Sequence, residues 1–205
     1  AAARGCRDLL GDDFDKLTVL WRDKQLQYTW LRAAQRRHVD FWQVTGDALD
    51  FALETLKLDL PELRNRLMTL YLWLDAYPEV SDVLRQLKAA GLKTAILSNG
   101  SPAMLEAVVS NAKLGSLLDS VLSVEEVGVY KPDPRVYQLA VDRLGIPASK
   151  ISFQSSNAWD AYAASSFGMK VVWCNRYGQR PERLPGRPDH EIKSLAELPE
   201  IVGAI

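Results

Sequence analysis

Residues 93–112 read KTAILSNGSPAMLEAVVSNA. A short apolar run ends in two small polar residues, Ser98 and Asn99, and a helical segment starts near Pro102. The same grammar recurs downstream: strand SVLSV (120–124), helix PDPRVYQLAVDRLG (132–145), strand KISFQSS (150–156), helix NAWDAYAASSFG (157–168) and strand KVVWCN (170–175). Upstream, the helix PEVSDVLRQLKAAG (78–91) closes on Gly91, a residue suited to a left-handed helix stop. Strands alternating with amphipathic helices predict an α/β fold, an open parallel sheet with helices on both faces. Ligands of such sheets bind beyond the carboxyl ends of the strands, so polar residues there are the candidates for function.

The first seventy or so residues follow a different pattern. DFDKLTVLWRDKQLQYTWLRAAQR (13–36) carries Phe14, Leu17, Trp21, Tyr28 and Leu31 at near-helical spacing. FWQVTGDALDFALETLKL (41–58) places Phe41, Val44, Ala48 and Phe51 on one face, and PELRNRLMTLYLWL (61–74) opens with Pro61, favourable in a first helical turn. The expected organisation is a helical domain over residues 3–74 and a sheet domain over residues 75–205.

Composition narrows the function classes. The chain has 205 residues, is 47% hydrophobic and 25% charged, and carries a formal net charge of −1, as a soluble globular protein would. The densest basic stretch, RAAQRRH (32–38), reads as a solvated helix end, so nucleic acid is not an expected partner. Cys6 and Cys174 with His38 and His190 cannot assemble a zinc set, and Cys174, in a strand-like run, reads as a small core residue. No stretch approaches the roughly 18 apolar residues of a membrane span and nothing reads as a signal peptide, so no membrane association and a cytoplasmic location are expected.

Three strand ends hold the candidate residues. The first gives Ser98 and Asn99, the third gives Ser155, Ser156, Asn157 and Asp160, and the fourth gives Asn175 and Arg176. Lys131 lies in the loop EEVGVYKPDP (125–134) between the second strand and its following helix. Taken singly, each has a plain alternative. Ser98 and Asn99 could cap the helix near Pro102, Asp160 could be a first-turn acid favoured by the helix dipole, Lys131 an ordinary loop lysine and Arg22 a surface arginine.

LSNG (97–100), GVYKPDPRVY (128–137) and SSNAWD (155–160), in this order, resemble the haloacid dehalogenase superfamily, and more narrowly its L-2-haloacid dehalogenases of type II. WRDKQLQYTWLR (21–32) is similar to the cap-domain helix that supplies an arginine to the site of that subgroup. The resemblance covers essentially the whole chain. It implies a Rossmann-like core with an inserted helical cap. It also implies hydrolytic dehalogenation of short L-2-haloalkanoic acids to D-2-hydroxy acids through an aspartyl ester, with no cofactor. A halogenated carboxylic acid and a halide ion are the implied ligands, and a homodimer built partly through cap helices is the implied assembly.

By the same resemblance Arg22 stabilises the departing halide, with Phe41 and Asn99 beside it. Ser98 and Asn99 hold the substrate carboxylate. Lys131 offsets the charge of the nucleophile. Tyr137, Ser155, Asn157 and Asp160 position the nucleophile, Lys131 and the hydrolytic water, while Leu26 and Trp159 wall an apolar pocket. Phosphatases of the superfamily end the third strand in G-D-x-x-x-D and hold magnesium there. Ser155 and Ser156 replace the Gly-Asp pair here, and a hydroxyl is a poor ligand for so hard a cation, so no metal is expected.

The chain departs from the family pattern in three places. The D-x-Y-G-T motif that carries the nucleophilic aspartate is absent, and Asp8, Asp12, Asp13 and Asp15 lie in a polar helix start without a strand before them. The chain begins AAARG, without methionine. The first strand, which the family places between the strands ending at Ser98 and Ser155, is thus expected either outside this stretch or lost, leaving a non-catalytic remnant. Asp23 stands beside Arg22 where relatives carry a neutral glutamine, and Tyr162-Ala163 replaces smaller residues. Two alternatives stay open: a magnesium-dependent phosphatase, and a non-enzymatic fragment kept for binding. Halide preference and substrate chain length are not readable.

Overall fold

The computed structural model describes residues 7–58 and 61–203. Cys6 and the opening AAARG lie outside the described residues. The chain folds as two compact units. The first holds residues 1–75, 98–115 and 123–130, and the second holds residues 76–97, 116–122 and 131–205.

The first unit is helical, with α1 (Arg7–Leu10), α2 (Asp13–Gln35), α3 (Phe41–Leu56), α4 (Pro61–Leu70) and α6 (Pro102–Asn111). Asp12, Asp13 and Asp15 sit at the start of α2, not at a strand end. Its core packs Phe14, Leu17 and Trp21 of α2 against Ala48, Leu49 and Ala52 of α3 and Leu63, Leu67 and Met68 of α4. Asp40 caps α3, its carboxylate accepting from the Gln43 N–H at 2.9 Å. The apolar stripes drift from expectation: Leu31 is 54% exposed and Phe51 37% exposed. The buried face of α2 runs Phe14, Leu17, Trp21, Gln25, Thr29. It steps by three and then by four, which turns Leu31 outward. RAAQRRH is a solvated helix end as expected, with Arg36 and Arg37 exposed.

The second unit holds α5 (Val80–Ala89), α7 (Pro134–Leu144), α8 (Ala158–Phe167), α9 (Leu198–Gly203) and most of the sheet. Its strands are β1 (Ala95–Ser98), β2 (Ser120–Ser123), β3 (Ser152–Ser155), β4 (Lys170–Cys174) and β5 (His190–Ile192). Strands β3, β4 and β5 pair in parallel, with Ser155 opposite Trp173 and Cys174 opposite Ile192. Among the described residues the sheet is in two pieces, β1–β2 and β3–β4–β5. Ile96 and Leu97 of β1 are only half-buried. Strand β5, three residues long, and helix α9, six residues long, are too short for a periodicity to be read. Cys174 is in the core with Val83, Val172, Ile192 and Leu198, and burial pushes its thiol pKa up.

The loop from β4 to β5 is irregular and mostly exposed, yet it is pinned at two points. Near its start Asn175, 2% exposed, donates to the Gln179 carbonyl at 2.9 Å and accepts from the Gln179 N–H at 2.7 Å. Near its end Gly186 has φ +85° and lies against α8, where an added Cβ would stand 2.3 Å from the Tyr162 carbonyl oxygen. Only glycine tolerates that approach.

Candidate active site

The predicted site residues fall in both units. In the second unit, β3 runs into α8 through Asn157, which occupies the N-cap position without a side-chain capping bond. Asp160 therefore sits in the first turn of α8, 3% exposed, at the carboxyl end of the sheet. Its Oδ2 accepts from Lys131 Nζ at 3.0 Å and from Ser155 Oγ at 2.9 Å, and its Oδ1 accepts from Tyr137 Oη at 2.8 Å. Ser155 Oγ in turn accepts from the Asn157 N–H at 3.2 Å. Pro134 at the start of α7, capped by Asp133, sets the turn that brings Tyr137 inward. Lys131 is 7% exposed, and its ammonium lies 4.8 Å from the centre of the Phe153 ring. Tyr137 packs on Phe153 and Phe167. Burial, reinforced by the charge of Asp160, pushes its phenol well above the ordinary tyrosine range.

Four of the predicted residues, Lys131, Tyr137, Ser155 and Asp160, are thus one hydrogen-bonded cluster. Asp160 is a first-turn acid as well as the centre of this cluster, and Lys131 is buried, not a solvated loop lysine. Asn175 and Arg176, at the end of β4, serve structure: Arg176 pairs with Glu79, and Asn175 bonds Glu191 and Gln179. Trp159 is half-buried on the same turn as Asp160. Among the described residues no group of three or more His, Cys, Asp or Glu side chains is arranged to hold a metal ion.

The first unit carries the rest. Arg22 is half-buried on α2, with Nη1 donating to Gln25 Oε1 at 2.8 Å. Leu26, one turn on, is half-buried, whereas Asp23 is exposed. Phe41 opens α3, 9% exposed, with its ring centre 6.1 Å from that of Tyr130. Ser98 ends β1, and its Oγ accepts from the Gly100 N–H at 3.0 Å. Ser123 fixes the same turn by donating to the Gly100 carbonyl at 2.7 Å. Ser98 therefore caps this turn and not α6, whose N-cap position belongs to Ser101. An added Cβ on Gly100 would lie 3.0 Å from Leu105 Cδ2, so the turn is close-packed. Asn99 is half-buried beside it.

Sequence reasoning missed Gln25, Thr45, Tyr71 and the pair His38–Glu125. Gln25 and Thr45 are wholly buried. Gln25 Nε2 donates to Thr45 Oγ1 at 2.8 Å and lies 3.3 Å from Tyr71 Oη. Burial pushes the Tyr71 phenol up, against the opposing pull of the Arg22 charge. The signal was present: a glutamine in the apolar stripe of α2, one turn after Trp21. His38 Nε2 lies 2.9 Å from Glu125 Oε2, and the His38 ring packs on Tyr130.

The family model of haloacid dehalogenase-like hydrolases matches residues 6–168. The chain belongs to that family. It is 50% identical over 187 residues to an (S)-2-haloacid dehalogenase of Pseudomonas sp. strain YL, covering 91% of this chain and 81% of that relative. It is 46% identical over 192 residues to (S)-2-haloacid dehalogenase 4A of Burkholderia cepacia, covering 93% and 83%. The structure of the L-2-haloacid dehalogenase from Xanthobacter autotrophicus with chloropropionic acid covalently bound superposes with a TM-score of 0.92 at 34% identity, covering 100% of this chain and 92% of that one. The α/β fold read from the strand–helix alternation is that of this family. No helix among the described residues is long and apolar enough to cross a membrane.

Proposed function

We propose that this hydrolase cleaves the carbon–halogen bond of short L-2-haloalkanoic acids, giving D-2-hydroxy acids, without a metal ion. The observation that carries the reading is the identity of 46–50% to (S)-2-haloacid dehalogenases over more than nine-tenths of the chain. An aspartate carboxylate attacks C2, the carbon–halogen bond breaks with inversion, and the halide leaves with the bonding pair. Water then attacks the ester carbonyl, releasing the hydroxy acid, the aspartate and a proton.

Roles follow from residue chemistry. Arg22, a permanent cation, receives the halide, with Phe41 and Leu26 as apolar neighbours. Ser98 and Asn99 hold the substrate carboxylate. Lys131 compensates the charge of the nucleophile, and Tyr137, Ser155, Asn157 and Asp160 hold Lys131 and the water in place, with Trp159 excluding bulk solvent. The cluster around Asp160 supports the metal-free reading. The carboxylate that a phosphatase of this family would offer to magnesium accepts here from an ammonium and two hydroxyls. The nucleophile itself is proposed to lie on a further strand between β1 and β3, outside these residues. The two-piece sheet and the half-buried Ile96 and Leu97 support that placement.

A homodimer is part of the proposal, supported by Val19, Trp30 and Leu31 of α2, all exposed. A cytoplasmic location accompanies the free thiol of Cys174. The full-length protein is expected to release chloride from L-2-chloropropionate in the presence of EDTA. Absence of chloride release, together with magnesium-dependent hydrolysis of p-nitrophenyl phosphate, would replace this reading with the phosphatase one.

A further inference from the structure

Gln25 is a wholly buried amide in a helix face that is otherwise apolar up to Trp21. Burying an amide is costly unless each polar atom finds a partner, and here the partners dictate how it is oriented. Arg22 can only donate, so the atom it meets at 2.8 Å must be the carbonyl oxygen Oε1. The Nε2 group then faces Thr45 Oγ1 at 2.8 Å and Tyr71 Oη at 3.3 Å. Thr45 donates its own proton to the Phe41 carbonyl at 2.6 Å, which leaves its oxygen to accept from Gln25. Trp21 Nε1 donates to the Thr45 carbonyl at 2.9 Å, and its ring packs edge-on against Tyr71 at 5.1 Å. All donors in this chain point one way, from Arg22 through Gln25 and Thr45 to the backbone of α3.

We infer that Gln25 is a positioning residue for Arg22, chosen as an amide because it anchors the guanidinium without adding a negative charge. A glutamate would bind Arg22 more strongly, yet would place a carboxylate next to a group that has to attract an anion. An apolar residue would pack well but remove the acceptor that Arg22 Nη1 meets. The inference rests on the reading that Arg22 binds the departing halide. It goes beyond that reading by assigning the function to a side chain that touches no reactant.

The test is a double-mutant cycle on the full-length protein, with chloride release from L-2-chloropropionate as the readout and thermal unfolding as the control for folding. Gln25→Met is expected to lower kcat about 10-fold or more with little change in KM, since anchoring matters most when the halide departs. On an Arg22→Lys background the same substitution should change kcat less than twofold, because its effect runs through the guanidinium. Gln25→Glu should lower activity further than Gln25→Met at neutral pH. It should recover in part, relative to wild type, as pH falls, because a protonated glutamate can accept from Arg22 and donate to Thr45 as the amide does. Equal kcat losses on both backgrounds, or a pH-independent Gln25→Glu defect, would show a structural role and overturn the inference. Should Gln25→Met not fold, Thr45→Val poses the same question. Wild-type kcat in that variant would likewise overturn it. An inactive wild-type protein would instead count against the proposed reaction, so the two failures are separable.

Discussion

The Arg22 cluster and the Asp160 cluster solve opposite electrostatic problems. Around Asp160 a buried anion is matched by a buried cation, Lys131, and by the hydroxyls of Tyr137 and Ser155. Beside Arg22 the Gln25 anchor is a neutral amide, backed by a threonine, a tyrosine and backbone carbonyls. A matched buried pair is expensive to break, because the surviving partner keeps its desolvation cost. Arg22 is half-buried, and a lysine in its place keeps the charge and a donor for the amide, so that exchange is expected to disturb folding little. One cluster therefore couples activity to stability, and the other separates them.

The largest expected effect breaks the matched pair. Asp160→Asn should lower halide release by about 10³-fold and destabilise the fold by about 1.5–3 kcal/mol, since Lys131 loses one of the two carboxylates that compensate it. Urea unfolding beside a chloride assay measures both. Arg22→Lys should cost about 10²-fold in rate while shifting stability by less than about 1 kcal/mol. A loss of stability equal to that of Asp160→Asn would erase the contrast between the clusters. Tyr137→Phe removes one of the three side-chain donors to Asp160 and should cost about 1–2 kcal/mol of stability with a rate loss of about 10-fold.

The smallest effect lies outside both clusters. Lys88 bonds the Asp119 carboxylate at 2.8 Å and holds its pKa below the usual range, aided by the Thr94 N–H. A depressed folded-state pKa contributes stability that is present above the unfolded value of about 4 and is lost as pH falls through the folded one. Asp119→Asn should therefore flatten the acid side of the stability profile slightly and leave neutral-pH activity unchanged. A profile that steepens instead would contradict the shift.

Much of this was legible in the sequence because strand ends are marked by composition. KTAILSN and KISFQSS switch from apolar to small polar residues where the sheet stops, and that switch located Ser98 and Ser155. Lys131 and Asp160 were legible as residues, although their 3.0 Å contact joins positions 29 apart and is a product of packing. Gln25 was overlooked because a helix pattern records which positions face inward but not which polar side chains find partners there. Leu31 misled for a related reason: the α2 stripe drifts with the 3.6-residue turn, and Thr29 is buried in its place. Strand β5 spans only three residues, too few for any alternation to register.

Gly186 gives the β4–β5 loop an uneven tolerance to change. Exposed, irregular segments ordinarily accept insertions and fusion tags. From Arg180 to Leu184, past the Asn175–Gln179 pin, this loop meets that description, with every residue there exposed. Two residues later the latitude ends: a single methyl group on Gly186 would collide with the backbone of α8, the helix whose first turn carries Asp160. A tag or label belongs before Leu184, and a deep mutational scan should show a permissive stretch ending abruptly at one intolerant glycine.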